Sequence, residues 1–259
     1  MTVQSLLQPI TGQSLKATLP DAQDWMQGRT LYGGASALIA YTQAIRAFSD
    51  LPPLRAAQIG FVAPIGEEVE LHADIVRQGR NVTQVRSEIH SGGKCALTAF
   101  WLFGAGREAN ALRASDRPEN WPGSAEENAR AMQGQGPSFI QNNFDIRFGQ
   151  SKDDDHGATI RRWARLTDAD ELDTVSRLVL MGDVMPPGAM RIMQRIGPIS
   201  SINWSFNVLR HEASSNDGWF LAENASQHAD EGYSSERLRM WDSGGNQMLD
   251  GLQCVAVFG

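Results

Sequence analysis

Three polar side chains in the second half of this 259-residue chain interrupt segments that are otherwise apolar: Asp183, Ser201 and Gln253. A carboxylate can accept a proton from water as a general base, and a hydroxyl or an amide can orient a water molecule by hydrogen bonding. These three residue types would therefore be sufficient to activate water if the fold brought them together.

Each of the three also has a purely structural interpretation. Asp183 follows an apolar helical pattern over residues 172–183, which two prolines end, so it can be a solvated residue at the end of a helix. Ser201 can face solvent, because the alternate positions after it are polar too. Gln253 can be a core glutamine whose amide finds hydrogen-bond partners. The residues taken singly leave both interpretations open.

Standard catalytic signatures are absent from the sequence. It contains no Gly-x-Ser-x-Gly, His-Glu-x-x-His or Cys-x-x-Cys motif, no Walker lysine loop, and no Gly-x-Gly-x-x-Gly after a strand. The five histidines show no metal-ligand spacing. Cys95 and Cys254 lie far apart in apolar runs, which favours core packing over a disulfide or a metal site. We therefore expect neither a cofactor nor a metal, and an enzyme with this sequence must use carboxylate, hydroxyl and amide groups.

The composition is that of an ordinary folded protein, with 41% hydrophobic and 20% charged residues. The formal net charge of -7 disfavours nucleic acid or an anionic membrane as the main partner. The N-terminus lacks the charged and apolar regions of a signal peptide, and no run approaches the 18 apolar residues of a membrane span. The sequence predicts a soluble, cytoplasmic protein.

Apolar spacing in the first half predicts one strand, one helix and four further strands. The helix runs from about residue 30 to residue 48, and Gly33 and Gly34 lie in its first turn, where they indicate either close packing or a ligand approaching the open backbone amides. Short glycine turns make the later strands antiparallel neighbours. These strands are predicted at 54–64, 67–78, 81–90 and 95–103, after a first strand at 14–19.

The same order of elements returns after a segment rich in Gly, Pro, Ser and charge, residues 107–137, which we interpret as a surface linker. The last hairpin of each half even shares a Ser-Gly-Gly turn, at 91–93 and at 243–245. The second half has predicted strands at 139–148, 158–166, 200–210, 219–227, 233–241 and 247–258, and a predicted helix at 172–183.

A repeated order of helix and strands predicts two copies of one α+β unit, each a central helix wrapped by a curved antiparallel sheet. The predicted boundaries are residues 1–106 for the first repeat and 138–259 for the second.

The three polar residues, in their order and approximate spacing, resemble the Asp, Thr and Gln motifs of the double hot-dog acyl-CoA thioesterases of the thioesterase II type. The matching segments are Met-Gly-Asp183-Val-Met-Pro-Pro, Ser200-Ser201-Ile202-Asn203 and Leu252-Gln253-Cys254. The likeness extends to the two hairpins and spans nearly the whole chain.

The resemblance implies a tandem hot-dog fold and hydrolysis of a fatty-acyl-CoA thioester by water, without a covalent intermediate. Asp183 would be the base, with Ser201 and Gln253 positioning the water. Gly33 and Gly34 would meet the substrate at the start of the first helix. Of three arginines around one hairpin, Arg80 is the candidate for the coenzyme A phosphates, although surface solubility would explain any one of them. The first half has no matching Asp and Gln, so one site per chain is expected.

Two departures and two rivals limit this interpretation. The family's strand motif continues Thr-Ile-Asp-His, whereas this chain has Asn203 and Trp204 at the last two positions. One rival is a non-catalytic hot-dog protein that binds acyl-CoA or an acyl chain. The other is a hot-dog hydratase or dehydratase, which would use a His and Asp pair. Exposed sheet edges in such a unit also predict self-association into a homo-oligomer.

Overall fold

The computed structural model of the protein describes residues 2–115, 117–118, 120–131, 136–150, 156–168 and 172–258. Within these ranges, no helix combines the length and the apolar character that crossing a membrane requires. The predicted strands at 158–166 and 200–210 and the hairpins of both halves are present, with ends shifted by a few residues.

Four helices and thirteen strands form the two repeats in the described part of the chain. The helices are α1 (Val3–Leu7), α2 (Gly33–Ala47), α3 (Ser138–Asn143) and α4 (Thr174–Met181). The strands of the first repeat are β1 (Leu15–Thr18), β2 (Met26–Gln27), β3 (Thr30–Leu31), β4 (Leu54–Phe61), β5 (Glu68–Gln78), β6 (Val82–Ser91) and β7 (Lys94–Gly104). Those of the second are β8 (Phe144–Phe148), β9 (Thr159–Leu166), β10 (Ile199–Val208), β11 (Phe220–Asp230), β12 (Tyr233–Asp242) and β13 (Gln247–Val257).

The two repeats share one antiparallel sheet of eleven strands in the order β1-β5-β6-β7-β4-β10-β13-β12-β11-β9-β8. Strands β4 and β10 join the halves, with Asn203 opposite Gly60 and Asn207 opposite Ala56. The sequence predicted a helix and a sheet in each repeat. The continuous sheet that joins the repeats was not predicted, because it depends on a pairing between strands more than 140 residues apart.

The two longest helices pack closely because of a glycine. A Cβ added at Gly34 in α2 would lie 2.0 Å from the backbone oxygen of Leu180 in α4, so only glycine fits there. Tyr32, immediately before α2, donates its hydroxyl to the same Leu180 oxygen at 2.7 Å. The start of α2 is thereby fixed against the end of α4, and the packing interpretation of Gly34 is correct.

Two predicted elements need correction. The helix predicted at 172–183 begins at Thr174, where Asp173 caps it by accepting from the Ser176 amide at 3.0 Å, and it ends at Met181. Asp183 therefore lies in the turn after the helix. The strand predicted at 139–148 begins instead as α3, because its buried residues Phe139, Ile140 and Asn143 follow helical spacing. Helix α1 was not predicted.

Part of the segment interpreted as a linker packs on the second repeat. Ala125 is buried in a small apolar cluster with Trp163, Trp219, Leu221 and Trp241, and Trp121 packs against it. This cluster lies apart from the main core of the protein, which contains the buried faces of α2 and α4. The proposed repeat boundaries at 106 and 138 stay a prediction.

Candidate active site

Asp183 lies where the turn after α4 meets the start of α2. Its Oδ1 atom accepts a hydrogen bond of 2.6 Å from Nε2 of Gln253. Its Oδ2 atom lies against Gly33, where an added Cβ would be only 2.1 Å away. Any side chain at residue 33 would displace the carboxylate. Gly33 therefore permits close packing, which is one of the two interpretations that the sequence left open.

Burial changes the acidity of this carboxylate. The loss of solvation raises the pKa of Asp183 from 3.8 to about 7, and the hydrogen bond from Gln253 acts in the opposite direction. The residue as a whole is half-buried. An acid whose pKa is near neutrality is half ionised at physiological pH, which suits it to accept a proton from water.

Gln253 occupies the position in β13 opposite Trp204 of β10 and Glu236 of β12. It is only 3% exposed, and a buried amide needs a partner because an unsatisfied one costs about 1–3 kcal/mol. Asp183 is that partner. The structure therefore brings together two of the three residues that the sequence singled out.

Ser201 is a neighbour of this pair without bonding to it. It is half-buried in β10 opposite Val255, which is two residues from Gln253 and so points to the same face of the sheet. A bulge between Ser201 and Asn203 interrupts the register there. Among the described residues, no hydrogen bond joins the Ser201 hydroxyl to Asp183 or to Gln253.

The open amide groups of α2 lie beside the carboxylate. The first backbone bond at this end of the helix runs from the Ser36 amide to the Tyr32 carbonyl at 3.1 Å. The preceding amides, at residues 33–35, belong to the first turn, which has no carbonyl partner inside a helix and carries the positive end of the helix dipole. Such a helix start can stabilise a negatively charged oxygen.

Arg80 lies elsewhere. It is exposed in the turn between β5 and β6, at the end of the strands where Val82 pairs with Gly104. Ser201 lies at the opposite end of the shared sheet, beyond the pairing of Asn203 with Gly60. The assignment of Arg80 to the coenzyme A phosphates stays a prediction that this arrangement does not favour.

Sequence reasoning missed the structural part of Trp204, which it treated only as a departure from the family motif. The indole is fully buried, and its ring would be 2.4 Å from a Cβ added at Gly182. Trp204 thus packs on the turn that carries Asp183 and helps to exclude water from it. The signal in the sequence was Gly182 directly before Asp183, together with a bulky tryptophan at residue 204 of the strand.

Tyr32 was also missed. Burial raises its pKa well above 10, and the nearby charge of Asp183 adds to this effect. Its ring stacks on Phe139 of α3 with centroids 4.2 Å apart. Through its bond to Leu180 and its stacking on Phe139, Tyr32 joins the two repeats beside the site.

The donor set of the site is one carboxylate, one amide and one hydroxyl, which is too small to hold a metal ion by itself. In the portion of the chain that the structure describes, the one group of three His, Cys, Asp or Glu donors close enough for a metal is Glu88, His90 and Cys95, on the other side of the first repeat's sheet.

Two family models match the chain. The acyl-CoA thioesterase N-terminal domain matches residues 21–104, and the acyl-CoA thioesterase C-terminal domain matches residues 111–257. Together they span most of the sequence. The chain belongs to the acyl-CoA thioesterase family. It is a thioester hydrolase, and the resemblance noted from its three motifs is confirmed.

Solved structures show that this thioesterase has the hot-dog fold. A hot-dog protein of unknown function from Alicyclobacillus acidocaldarius is 18% identical, with a TM-score of 0.80 over 96% of this chain and 97% of that one. The tesB protein of Mycobacterium avium subsp. paratuberculosis is 16% identical, with a TM-score of 0.75 over 98% and 100%. Acyl-CoA thioesterase II TesB2 of Mycobacterium marinum is 14% identical, with a TM-score of 0.71 over 100% and 97%. A search of curated proteins gave no match.

Proposed function

We propose that this thioesterase hydrolyses acyl-CoA by a water molecule that Asp183 activates, with Gln253 and Ser201 positioning the reacting groups. The observation that carries the proposal is the 2.6 Å hydrogen bond between Gln253 and Asp183 beside the open start of α2. Together with the contact of Asp183 Oδ2 with Gly33, it supports a site with a proton acceptor beside backbone donors, which are the two kinds of group that thioester hydrolysis needs.

Asp183 acts as the general base. With a pKa of about 7, its ionised fraction is substantial at neutral pH, and it remains basic enough to take a proton from water as the water attacks the carbonyl carbon. The hydrogen bond from Gln253 occupies Oδ1, so Oδ2 is the oxygen that would face the attacking water.

The start of α2 acts as the electrophilic part of the site. The amides at Gly33 and Gly34 would donate to the thioester oxygen as it gains negative charge, aided by the helix dipole. The missing side chain at residue 33 matters twice, because it gives room to the Asp183 carboxylate and leaves the backbone open to the substrate.

Ser201 has the smaller part. Its hydroxyl lies on the same face of the sheet as the Gln253 amide, one register step away, from which it can orient the water or the acyl carbonyl. Because it makes no direct bond to Asp183, its removal should lower turnover less than removal of either of the other two side chains.

The dehydratase alternative lacks support from the geometry. It needs a histidine paired with an acid, and the described hydrogen-bond partner of Asp183 is Gln253 alone. His72 and His90 pair instead with Glu70 and Glu88 on the outer face of the first repeat.

The experiment that tests the proposal is release of free thiol from acyl-CoAs of several chain lengths by the purified full chain. We expect Asp183→Asn to lower kcat by about 100-fold or more, which is the usual contribution of a general base. The matched control is Asp173→Asn, at the other end of the same helix, where asparagine can still cap α4.

Two results would overturn these assignments. One is wild-type turnover in Asp183→Asn. The other is an equal loss in Asp173→Asn, which would show that disturbance of α4 explains the effect. Binding of acyl-CoA by the wild-type chain without thiol release across the whole panel would favour a binding protein.

Self-association is part of the same proposal. Strands β1 and β8 are the edges of the sheet. Residues 129–131 already bond to β8, so the unpaired backbone groups of β1 offer the place for a second copy. Sedimentation of the purified chain tests it, and a monomer over the accessible concentration range would contradict it.

A further inference from the structure

A second group of polar side chains lies on the outer face of the first repeat, away from α2. Inward-facing residues of strands β5, β6 and β7, such as Leu71, Ile89 and Leu97, are buried in the core. The residues that alternate with them point outward. They include two acids, two histidines and a cysteine: Glu70, His72, Glu88, His90 and Cys95.

A β-bulge brings the cysteine into this group. Ile89 pairs with Leu97 but His90 pairs with Cys95, so Ala96 is the extra residue of the pairing. Without the bulge, His90 would lie opposite Ala96. Bulges redirect side chains in this way and are common beside functional sites.

The resulting donors are close to one another. One oxygen of Glu88, one ring nitrogen of His90 and the sulfur of Cys95 all lie within 4.8 Å of each other, and all three residues are half-buried. Ligand atoms of a tetrahedral zinc ion lie about 3.5 Å apart. Side-chain rotations that move these donor atoms by about 1 Å would bring them to that spacing. Strand β6, which carries Glu88 and His90, is paired on both sides, and Cys95 is paired with His90.

We propose that Glu88, His90 and Cys95 form a binding site for a divalent transition-metal ion, of which Zn²⁺ fits best. One thiolate, one imidazole and one carboxylate are a borderline donor set that suits zinc and not magnesium or calcium, which prefer oxygen alone. Three protein ligands leave a fourth position for water.

Surrounding residues support the ligands. The His72 ring packs edge-on against the His90 ring with centroids 5.3 Å apart, and His72 is itself held by Glu70 at 3.1 Å. Glu88 Oε2 lies 3.1 Å from His90 Nε2, while Arg86 lies near the other carboxylate oxygen at 3.6 Å. Glu88 and His90 are both proposed ligands, so their contact shows that two of the three donors already converge.

The second repeat shows that the bulge alone does not make such a group. Met240 pairs with Leu249 and Trp241 with Gln247, which is the same register shift in the corresponding hairpin. The residues there offer no imidazole or thiol, and Trp241 is fully buried under residues of the 121–125 segment. The metal-binding donors are specific to the first repeat.

Cobalt titration of the metal-stripped full chain tests the site, with a reductant that contains no thiol. Tetrahedral Co²⁺ bound by a thiolate gives a charge-transfer absorption band, and Zn²⁺ then displaces it. We expect one Co²⁺ per chain with this band, its loss in Cys95→Ala, and its retention in Cys254→Ala. Zn²⁺ binding should weaken by at least about tenfold in His90→Ala, and also in His72→Ala if the supporting layer matters as usual.

The result that overturns the proposal is the absence of a thiolate band in the wild-type chain, or a band that survives in Cys95→Ala. A band lost in Cys254→Ala would place the site elsewhere and would overturn it equally. If Cys95→Ala fails to fold, Glu88→Gln serves as the second variant, with wild-type Zn²⁺ affinity as the contradicting outcome. None of these measurements depends on hydrolysis, so they stand apart from the role of Asp183.

Discussion

The last hairpins of the two repeats have similar strand pairing and different chemistry. Each begins with a Ser-Gly-Gly turn and contains one β-bulge, with Ala96 the extra residue in the first and Met248 in the second. At the same spacing from that turn stand Trp101 in β7 and Gln253 in β13. Trp101 donates to the Ser87 hydroxyl at 2.6 Å, and Gln253 donates to Asp183. One strand position therefore contributes packing in one repeat and the candidate site in the other.

The outer faces differ in the opposite sense. In the second repeat part of this face is covered by Trp121 and Ala125, and its buried acid, Glu223, is paired with Arg161 and Arg239. In the first repeat the face is open and carries His90 and Cys95 within a group of donors. A duplicated fold needs each backbone position only for pairing, so the side chains of each copy are free to take different functions.

The pH dependence of hydrolysis gives the largest expected effect that depends on the second repeat's Asp183. Asp183 must be ionised to act as a base, so with its pKa of about 7 we expect kcat/KM to rise with pH and to level off above neutrality. Between pH 7 and pH 5 the loss should be about 50-fold, and well below the pKa it approaches tenfold per unit. Rate profiles of the wild type and of Gln247→Ala, another buried glutamine of β13, should share this midpoint. A flat profile would remove Asp183 as the base.

Stability should respond to the same carboxyl group in the opposite direction. Its pKa is raised on folding, so the folded state holds a proton that the unfolded state releases above about pH 4. The protein therefore loses stability as pH rises from about 4 to about 7. Asp183→Asn avoids this loss and can still accept from Gln253.

We expect this variant to be more stable than the wild type by about 4 kcal/mol at pH 8, with no difference near pH 4. Denaturant unfolding at the two pH values measures the gap. A gap that is equal at both would show that the pKa of Asp183 is not raised in the folded state.

Substitutions at Gln253 and Trp101, which occupy corresponding positions in the two repeats, separate a catalytic effect from a packing effect. Gln253→Leu removes the hydrogen bond to Asp183 at similar volume, and we expect at least about a tenfold loss of kcat with the fold intact. Trp101→Phe removes the bond to Ser87 and should cost about 1–2 kcal/mol of stability with kcat unchanged. Thiol release and denaturant unfolding of both variants decide the matter. Equal effects on kcat would show that both positions act through packing.

Trp204 gives the smallest expected effect. Trp204→His, which restores the residue type of the family motif, opens the turn at Gly182 to water and should lower the pKa of Asp183. We expect the midpoint of the kcat/KM profile to move down by about half a unit to one unit. Trp101→His in the first repeat is the matched control and should leave the midpoint in place. A midpoint that stays near 7 in Trp204→His would show that other residues exclude the water.

Sequence patterns predicted much of this fold because they are local. The alternation in β5 to β7 and β10 to β13 and the two glycine turns located these strands within a few residues. Errors occurred where a pattern had two solutions. The apolar residues of 139–143 fit a strand or a single helical turn, and α4 ended earlier than its apolar period suggested, since Gly182 follows it directly.

The candidate site was predictable in part for the same reason. Asp183 and Gln253 were conspicuous as polar residues in apolar surroundings, and burial requires such groups to find each other. Arg80 was chosen only as a cation near a turn, and nothing local shows which end of a sheet a turn occupies. The proposed metal site could not be predicted, because spacing along the chain does not reveal that a bulge turns Cys95 toward His90.

The sequence by itself determined the repeated order of elements and most of the strands, since these follow from local period, and its three motifs carried the resemblance to the family. The tertiary structure decided which residues meet. Residues 183 and 253 are 70 positions apart and come together because β13 pairs with β10 while α4 packs on α2. The carboxylate of Asp183 gains its raised pKa only there, because burial is a property of the whole packed molecule.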